Sequence, residues 1–310
     1  MHLIPARVRS KPQYIFHPLR AAKRLTYRRG GEESAVTELP WDLALEVEMS
    51  DAIGFSIVAG GVFDPCVTET LHRLIDPGDL VVDVGANVGY LTSLGAARAG
   101  SDGRVIGLEP HPRVFELLER NADRWRSRDG VAKVELQRLA VSDRDGEGTL
   151  VAGPFFDANM GLAALAPEEG AGEGASSIPV TLARLDAIVG ASEIGLLKID
   201  VEGHEAEVLR GASELLARRG VRDIVFEDHD PYPSEPTEIV EAAGYELISL
   251  DNDLFGLRLE APEDRGVVAA WPGPSYLATR DPQRARERLR QRGWQVRGIG
   301  PGFARGSVSR

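Results

Sequence analysis

Two stretches of this sequence gather residue types that can do chemistry. The first is Asp83-Val84-Gly85-Ala86-Asn87-Val88-Gly89. Glycines at a strand-to-helix corner let the backbone turn sharply and come close to a ligand. The helix that follows offers unpaired N–H groups to a polar ligand. The second is Lys198-Ile199-Asp200-Val201-Glu202-Gly203-His204-Glu205, with Glu227-Asp228-His229-Asp230 downstream. Carboxylates and imidazoles at this density suit proton transfer, and a positioned base is worth roughly 10²- to 10⁴-fold. The candidates are Asp200, Glu202, His204, Glu227 and His229. His229 is the most attractive, because an unperturbed histidine titrates near neutrality. A metal is a second reading: Asp200 with Glu227 or Asp228 would offer hard oxygen ligands to Mg²⁺, which could acidify a bound hydroxyl. The bland alternative is a tight turn, surface acids and structural histidines.

The spacing of the first run narrows its ligand. A dinucleotide site uses G-x-G-x-x-G, whose middle glycine makes room for a pyrophosphate. Asn87 stands in that place here, and a carboxylate at position 83 would repel phosphate. The run suits a cationic ligand bearing an amino acid. A nicotinamide-dependent oxidoreductase is the rival enzyme, and a non-catalytic scaffold on the same fold is a rival of another class.

Strand ends must hold these residues. Leu80–Val84 is a short apolar run of the kind buried in parallel sheets, and Leu91, Leu94 and Ala97 give the next segment a helical face. Arg104–Glu109 reads as a second strand ending on an acid, 24 residues after Gly85. Pro112 opens a helix. Val134–Val141 is a third strand whose end, Ala140-Val141-Ser142-Asp143, would carry small groups to the site. Leu196–Ile199, Arg222–Glu227 and Tyr245–Leu250 supply the fourth, fifth and sixth strands, and Ser275–Thr279 an antiparallel seventh. In such a doubly wound sheet the ligand crevice lies outside the carboxyl ends of the strands, where strand order reverses. Ahead of it, Thr68–Ile75 reads as an entry helix. Leu43–Met49 and Phe55–Val58 read as a β-hairpin turning around Asp51–Gly54. Residues 144–177 are irregular, with Thr149–Ala152 an extra strand and a low-complexity loop at Gly170–Ser177.

D-V-G-A-N-x-G-Y followed by K-I-D-V-E-G-H-E resembles the FkbM-type family of S-adenosylmethionine (SAM) dependent methyltransferases, over about residues 54–250. The third-strand ending L-A-V-S-D is also in pattern. The resemblance implies an α/β class I fold, Rossmann-like and doubly wound, with a seven-stranded mostly parallel sheet. To that the hairpin would be an N-terminal extension. It also implies methylation of a hydroxyl on a small molecule or glycan. Asp83, Gly85, Asn87 and Gly89 would then hold the methionine end of SAM, Glu109 the ribose, and Ala140 and Val141 the adenine. Asp200 would face the reactive end of the cofactor, and with Glu202 and His229 the acceptor. Glu202 and Glu205 could instead brace their loop through backbone N–H groups.

Composition sets the outer bounds. The chain has 310 residues, 43% of them hydrophobic, and a net charge of −12. The charge is divided. Eight Lys/Arg lie in residues 1–31 with no acid, and eight Arg in 284–310 with only Glu287 against them. The body between is strongly acidic, which argues against nucleic-acid binding. The basic ends could pack on that body, touch an anionic membrane surface or bind an acidic partner. The expected organisation is a basic extension over 1–40, a catalytic domain over 41–280 and an arginine-rich helix and tail over 281–310. No run approaches the roughly 18 apolar residues of a spanning helix. Cys66 is the only cysteine, so a reducing, cytoplasmic setting is expected.

Overall fold

The computed structural model describes residues 33–153, 156, 160, 163–165, 176–264 and 274–297. Residues 1–32 and 298–310 lie outside this set, and with them the N-terminal basic run, Gly30-Gly31, whose sequence reads as a hinge, and the end of the arginine-rich tail. Most of the low-complexity loop lies outside it as well.

In chain order the elements begin with β1 (Ser34–Glu38), β2 (Ala44–Glu48), α1 (Ala52–Gly60) and α2 (Pro65–Leu74). The first half of the sheet follows as β3 (Leu80–Val84), α3 (Tyr90–Ala99), β4 (Arg104–Leu108), α4 (Pro112–Arg126) and β5 (Lys133–Gln137). Next come β6 (Ala140–Val141), β7 (Gly146–Ala152), β8 (Ala163–Leu165), β9 (Ser176–Ala183) and α5 (Leu185–Val189). The second half holds β10 (Ile194–Ile199), α6 (Glu205–Arg210), α7 (Ser213–Ala217), β11 (Val221–Glu227) and α8 (Glu235–Ala242). The chain closes with β12 (Glu246–Asp253), β13 (Gly256–Glu260), β14 (Ser275–Thr279) and α9 (Pro282–Leu289).

Eight strands form the central sheet in the order β13-β12-β14-β11-β10-β3-β4-β5. The run from β11 to β5 is parallel, and β14 is antiparallel to both neighbours. The seven expected strands are all present, and β13 adds an antiparallel edge. Strand order reverses between β3 and β10, which puts a crevice at their carboxyl ends. Alternation along each strand sorts the core into two layers. Val81, Val105 and Leu196 pack beneath α2, α3 and α4. Val82, Ile106, Leu197 and Phe226 pack on the opposite face with α6, α7 and α8.

Three local readings change. The hairpin exists, but its strands are β1 and β2. Phe55–Val58, read as the second strand, lies inside a helix that also takes up most of the expected turn. Asp51 decides this: its buried carboxylate accepts from the Gly54 N–H and caps the helix, a familiar N-terminal device. The third strand also stops at Gln137, and Ala140-Val141 leaves the main sheet. That pair joins β9, β7 and β8 in a four-stranded second sheet, ordered β6-β9-β7-β8. It encloses a small core of Ala140, Leu150, Val180 and Leu182.

The C-terminal arginines that are described pack on the acidic body. Arg284 pairs with Asp76 and Asp223, Arg288 with Asp76, and Arg286 with Glu246. Among the described residues no single helix is long and apolar enough to cross a membrane.

Candidate active site

A cavity of about 470 Å³ opens at the carboxyl ends of β3, β4, β10 and β11. Its floor is the turn Val84–Val88. Gly85 has φ +75°, and a Cβ there would sit 1.9 Å from the Asp200 carbonyl oxygen. Gly89 has φ +92°, and a Cβ would strike Leu118 and Trp125 of α4 at 2.7 and 2.8 Å. Both glycines are therefore demanded by the packing of the protein on itself. The turn is held from behind by Asn121, whose amide donates to the Val88 and Glu46 carbonyls, so the hairpin buttresses the turn.

Asp83 is placed differently from the sequence reading. It is 2% exposed and turned under the turn. It accepts from the Thr92 hydroxyl at 2.6 Å and pairs with Lys198 at 3.2 Å. Strand register sets these two opposite each other. Lys198 also donates to the Gly85 carbonyl at 2.8 Å. Burial disfavours its ammonium, but attraction from Asp83 and Asp200 outweighs this and its pKa is raised. The Asp83 charge is thus consumed within the protein, and the cavity wall takes Lys198, Gly85 and Asn87 instead.

Glu109 lies on the wall beside Asn87. Its two carboxylate oxygens accept from the Asn87 and His111 backbone N–H groups, each at 2.9 Å. Each oxygen keeps a lone pair for a ligand. Burial pushes this carboxyl up to about 7. Ala140 and Val141 line the same wall.

Asp200, Glu202, His204 and Glu227 also line the cavity. Glu202 sits at φ +54°, and burial, with repulsion from Asp200, pushes it up to about 7. His204 is within 3.0 Å of the Ser142 hydroxyl through Nε2, and burial lowers its pKa. Glu205 faces inward and accepts from the Val201 and Gly203 N–H groups, so it braces the Asp200–Gly203 loop. His229 stands outside the lining, half-exposed, 3.7 Å from Glu227. Asp228 is buried and bonded to the Ser234 hydroxyl and the Asp230 N–H. Asp228 is thus engaged elsewhere, no group of three His, Cys, Asp or Glu is gathered among the described residues, and of the acids in the Mg²⁺ reading Asp200 and Glu227 line the cavity.

The far wall was foreseen in part: residues 144–177 and 228–275 read as the stretches that shape an acceptor pocket, whereas α1 and the residues before α2 did not. α1 and the start of α2 supply Ile53, Ser56, Phe63 and Asp64, the second sheet supplies Leu150 and Leu165, and β12 supplies Asp251. Asp64-Pro65 carried a readable signal, since an acid before proline marks a helix start.

The strand order, the crevice at the reversal point and the acid after the second parallel strand define a class I SAM-dependent methyltransferase. A methyltransferase FkbM domain model matches residues 83–247, and the chain belongs to that family. The 31-O-demethyl-FK506 methyltransferase FkbM of Streptomyces tacrolimicus is 32% identical over 207 residues, 58% of this chain and 77% of that protein. The hexuronic acid methyltransferase AglP of Haloferax volcanii is 28% identical, over 60% of this chain and 72% of that protein. AMB antimetabolite synthetase AmbE of Pseudomonas aeruginosa is 30% identical, but the chain spans only 9% of its length. A solved structure, methyltransferase FkbM from Methylobacillus flagellatus, aligns with 90% of this chain and 63% of its own at a TM-score of 0.41 and 12% identity.

Proposed function

We propose that this chain moves a methyl group from SAM to a hydroxyl on a small molecule or glycan. SAM, when bound, supplies a methyl on a sulfonium; the C–O bond forms as the S–C bond breaks and its electron pair stays on sulfur. The residues present fit this ligand. Glu109 offers carboxylate lone pairs to ribose hydroxyls, the Gly85–Asn87 backbone offers polar groups to the methionine end, and Ala140 and Val141 offer a flat apolar wall to the adenine. Gly89 acts from behind, by letting α4 pack against the turn.

A hydroxyl acceptor must lose a proton. The observation that carries the reading is Glu202, a cavity-wall carboxyl held at about 7. A base poised near the working pH takes a proton most effectively. Asp200 raises its basicity by repulsion, and the positive form of His229 would counter that. Glu202 is the base in this reading, with Asp200 and His229 setting its field. The acceptor lies against Ile53, Ser56, Leu150, Met160 and Leu165, a largely apolar wall. The relatives support the acceptor class, since one is named for an O-position of a natural product and another for a sugar acid. We also place the catalytic unit in residues 41–280 and the chain in the cytoplasm, consistent with its lone cysteine, buried Cys66.

SAM labelled in its methyl group, incubated with macrolactones, polyols and hexosides, tests the proposal. Label recovered in a methyl ether supports it. Label recovered only on amines, or no calorimetric binding of SAM at all, overturns it.

A further inference from the structure

The methionine end of SAM carries an α-ammonium, and the motif carboxylate that would meet it, Asp83, is buried and already paired with Lys198. Another acid lines the cavity. Asp64 precedes α2 and lines the cavity with Gly85, Lys198 and Asp200. It lies near enough to Asp200 and Lys198 to feel both charges. The loop that carries it is pinned to the first residue of α3. The Phe63 N–H donates to the Tyr90 hydroxyl at 3.1 Å, and the Thr68 hydroxyl donates to the Phe63 carbonyl at 2.7 Å.

We propose that Asp64 is a cofactor-positioning residue, its carboxylate receiving the α-ammonium of SAM together with Asp200. The inference rests on the reading that the cavity takes SAM. Its chemistry is that of several acids with too few cations. Among the described residues the ammonium near them is Lys198, already shared among Asp83, Asp200 and the Gly85 carbonyl. Burial and the repulsion of Asp200 push the Asp64 carboxyl up to about 6, despite the Val67 N–H and Lys198 acting the other way. A cation placed between Asp64 and Asp200 relieves that repulsion. The Gly85 carbonyl is on the same wall as a further acceptor.

Asp64 also caps α2, accepting from the Val67 N–H at 3.2 Å, with φ +36°. The test must separate capping from ligand binding. Asp64→Asn does so, because asparagine caps as well as aspartate and tolerates positive φ, while the charge is lost. Calorimetry compares SAM, S-adenosylhomocysteine and 5′-methylthioadenosine, which lacks the amino-acid end. The expected result is a loss of roughly 10-fold or more in affinity for the first two, with methylthioadenosine binding unchanged and the thermal midpoint not lowered. Glu109→Gln, the ribose residue, weakens all three.

If Asp64→Asn leaves S-adenosylhomocysteine binding intact, or weakens methylthioadenosine as much, the assignment is wrong while the SAM reading stands. Loss for SAM alone places the charge contact at the sulfonium and also overturns the ammonium assignment. Failure of the wild-type protein to bind any of the three overturns the SAM reading itself.

Discussion

The two ends of the central sheet treat charge in opposite ways. At the amino-terminal ends of the strands, acids and arginines answer one another. Arg222 pairs with Asp79, Asp76 and Asp223, and Arg284 with Asp76 and Asp223. Buried Arg73 pairs with Glu69 and donates to the carbonyls of Arg288, Leu289, Gln291 and Gly293. There burial opposes the charge on Asp76, but its arginines prevail and hold the carboxyl below its usual range. At the carboxyl-terminal ends, Asp64, Glu109 and Glu202 are pushed up, mainly by burial. Similar residue types thus make a clasp at one end and a set of receptive groups at the other. What separates them is the supply of cations. Arginine was placed generously below the sheet, and above it Lys198 is spent on Asp83.

The comparison breaks most visibly at Arg73. Arg73→Ala would leave buried Glu69 without its cation, its carboxylate kept, among the described residues, by the Gln295 and Val296 N–H groups. Removing one partner of a buried pair costs about 3–5 kcal/mol, so urea unfolding should show a loss of that size. Replacing both partners together, Glu69→Leu with Arg73→Met, should recover much of it, because no lone charge remains. A double variant as weak as the single one would show that the carbonyl contacts of Arg73 carry the clasp.

At the other end the loss should appear in turnover. Glu202→Gln is expected to lower kcat by roughly 10²- to 10⁴-fold with little change in S-adenosylhomocysteine affinity. The acidic limb of the rate profile near pH 7 should vanish with it. If His229→Gln removes that limb and Glu202→Gln does not, the base is the histidine.

Much of this arrangement could be read from the sequence, and the failures have physical causes. β3 and β10 were legible because strands buried on both faces read as near-continuous apolar runs. Lys198 was read only as part of its motif, and it is the register that identifies Asp83 as its partner. Residues 52–60 misled because Phe55, Ile57 and Val58 favour strands by propensity, while one capping acid, Asp51, fixes a helix. The second sheet was legible only in fragments, because β7 and β9 alternate buried with exposed residues over a short span and their pairing is non-local. The far wall of the cavity depends on that sheet and on α1, so the acceptor side was the least legible part of the site. The glycines were recognised at once for their backbone freedom. Their nearest neighbours, the Asp200 carbonyl and α4, add a packing demand that no sequence pattern displays.

Gly85→Ala turns that last point into a smaller test. A methyl group 1.9 Å from the Asp200 carbonyl oxygen must push β3 and β10 apart, and crowding of this kind costs about 1–3 kcal/mol. The unliganded protein should therefore lose stability in denaturant titration. A variant that is fully stable but fails to bind SAM would show that the glycine serves the ligand after all.

The smallest effect is a difference in slope with pH, and it separates the two ends directly. For Glu202 the folded value, about 7, lies above the ordinary 4.5. Its contribution to stability is complete below about pH 4.5 and is lost as pH rises through 7. Glu202→Gln should then stabilise the unliganded protein at pH 8, by about 1–3 kcal/mol, and make little difference at pH 4. Asp76 has the opposite sign, because its folded value is depressed. Its contribution is present above the ordinary carboxylate range and is lost as pH falls through the lowered value. Asp76→Asn should destabilise at pH 8 by about 1 kcal/mol, a modest figure because the pair is partly exposed, and the gap should close in acid. Parallel slopes for the two variants would mean that the acids above the sheet are neutralised by something other than a bound cation, and the contrast between clasp and site would fail.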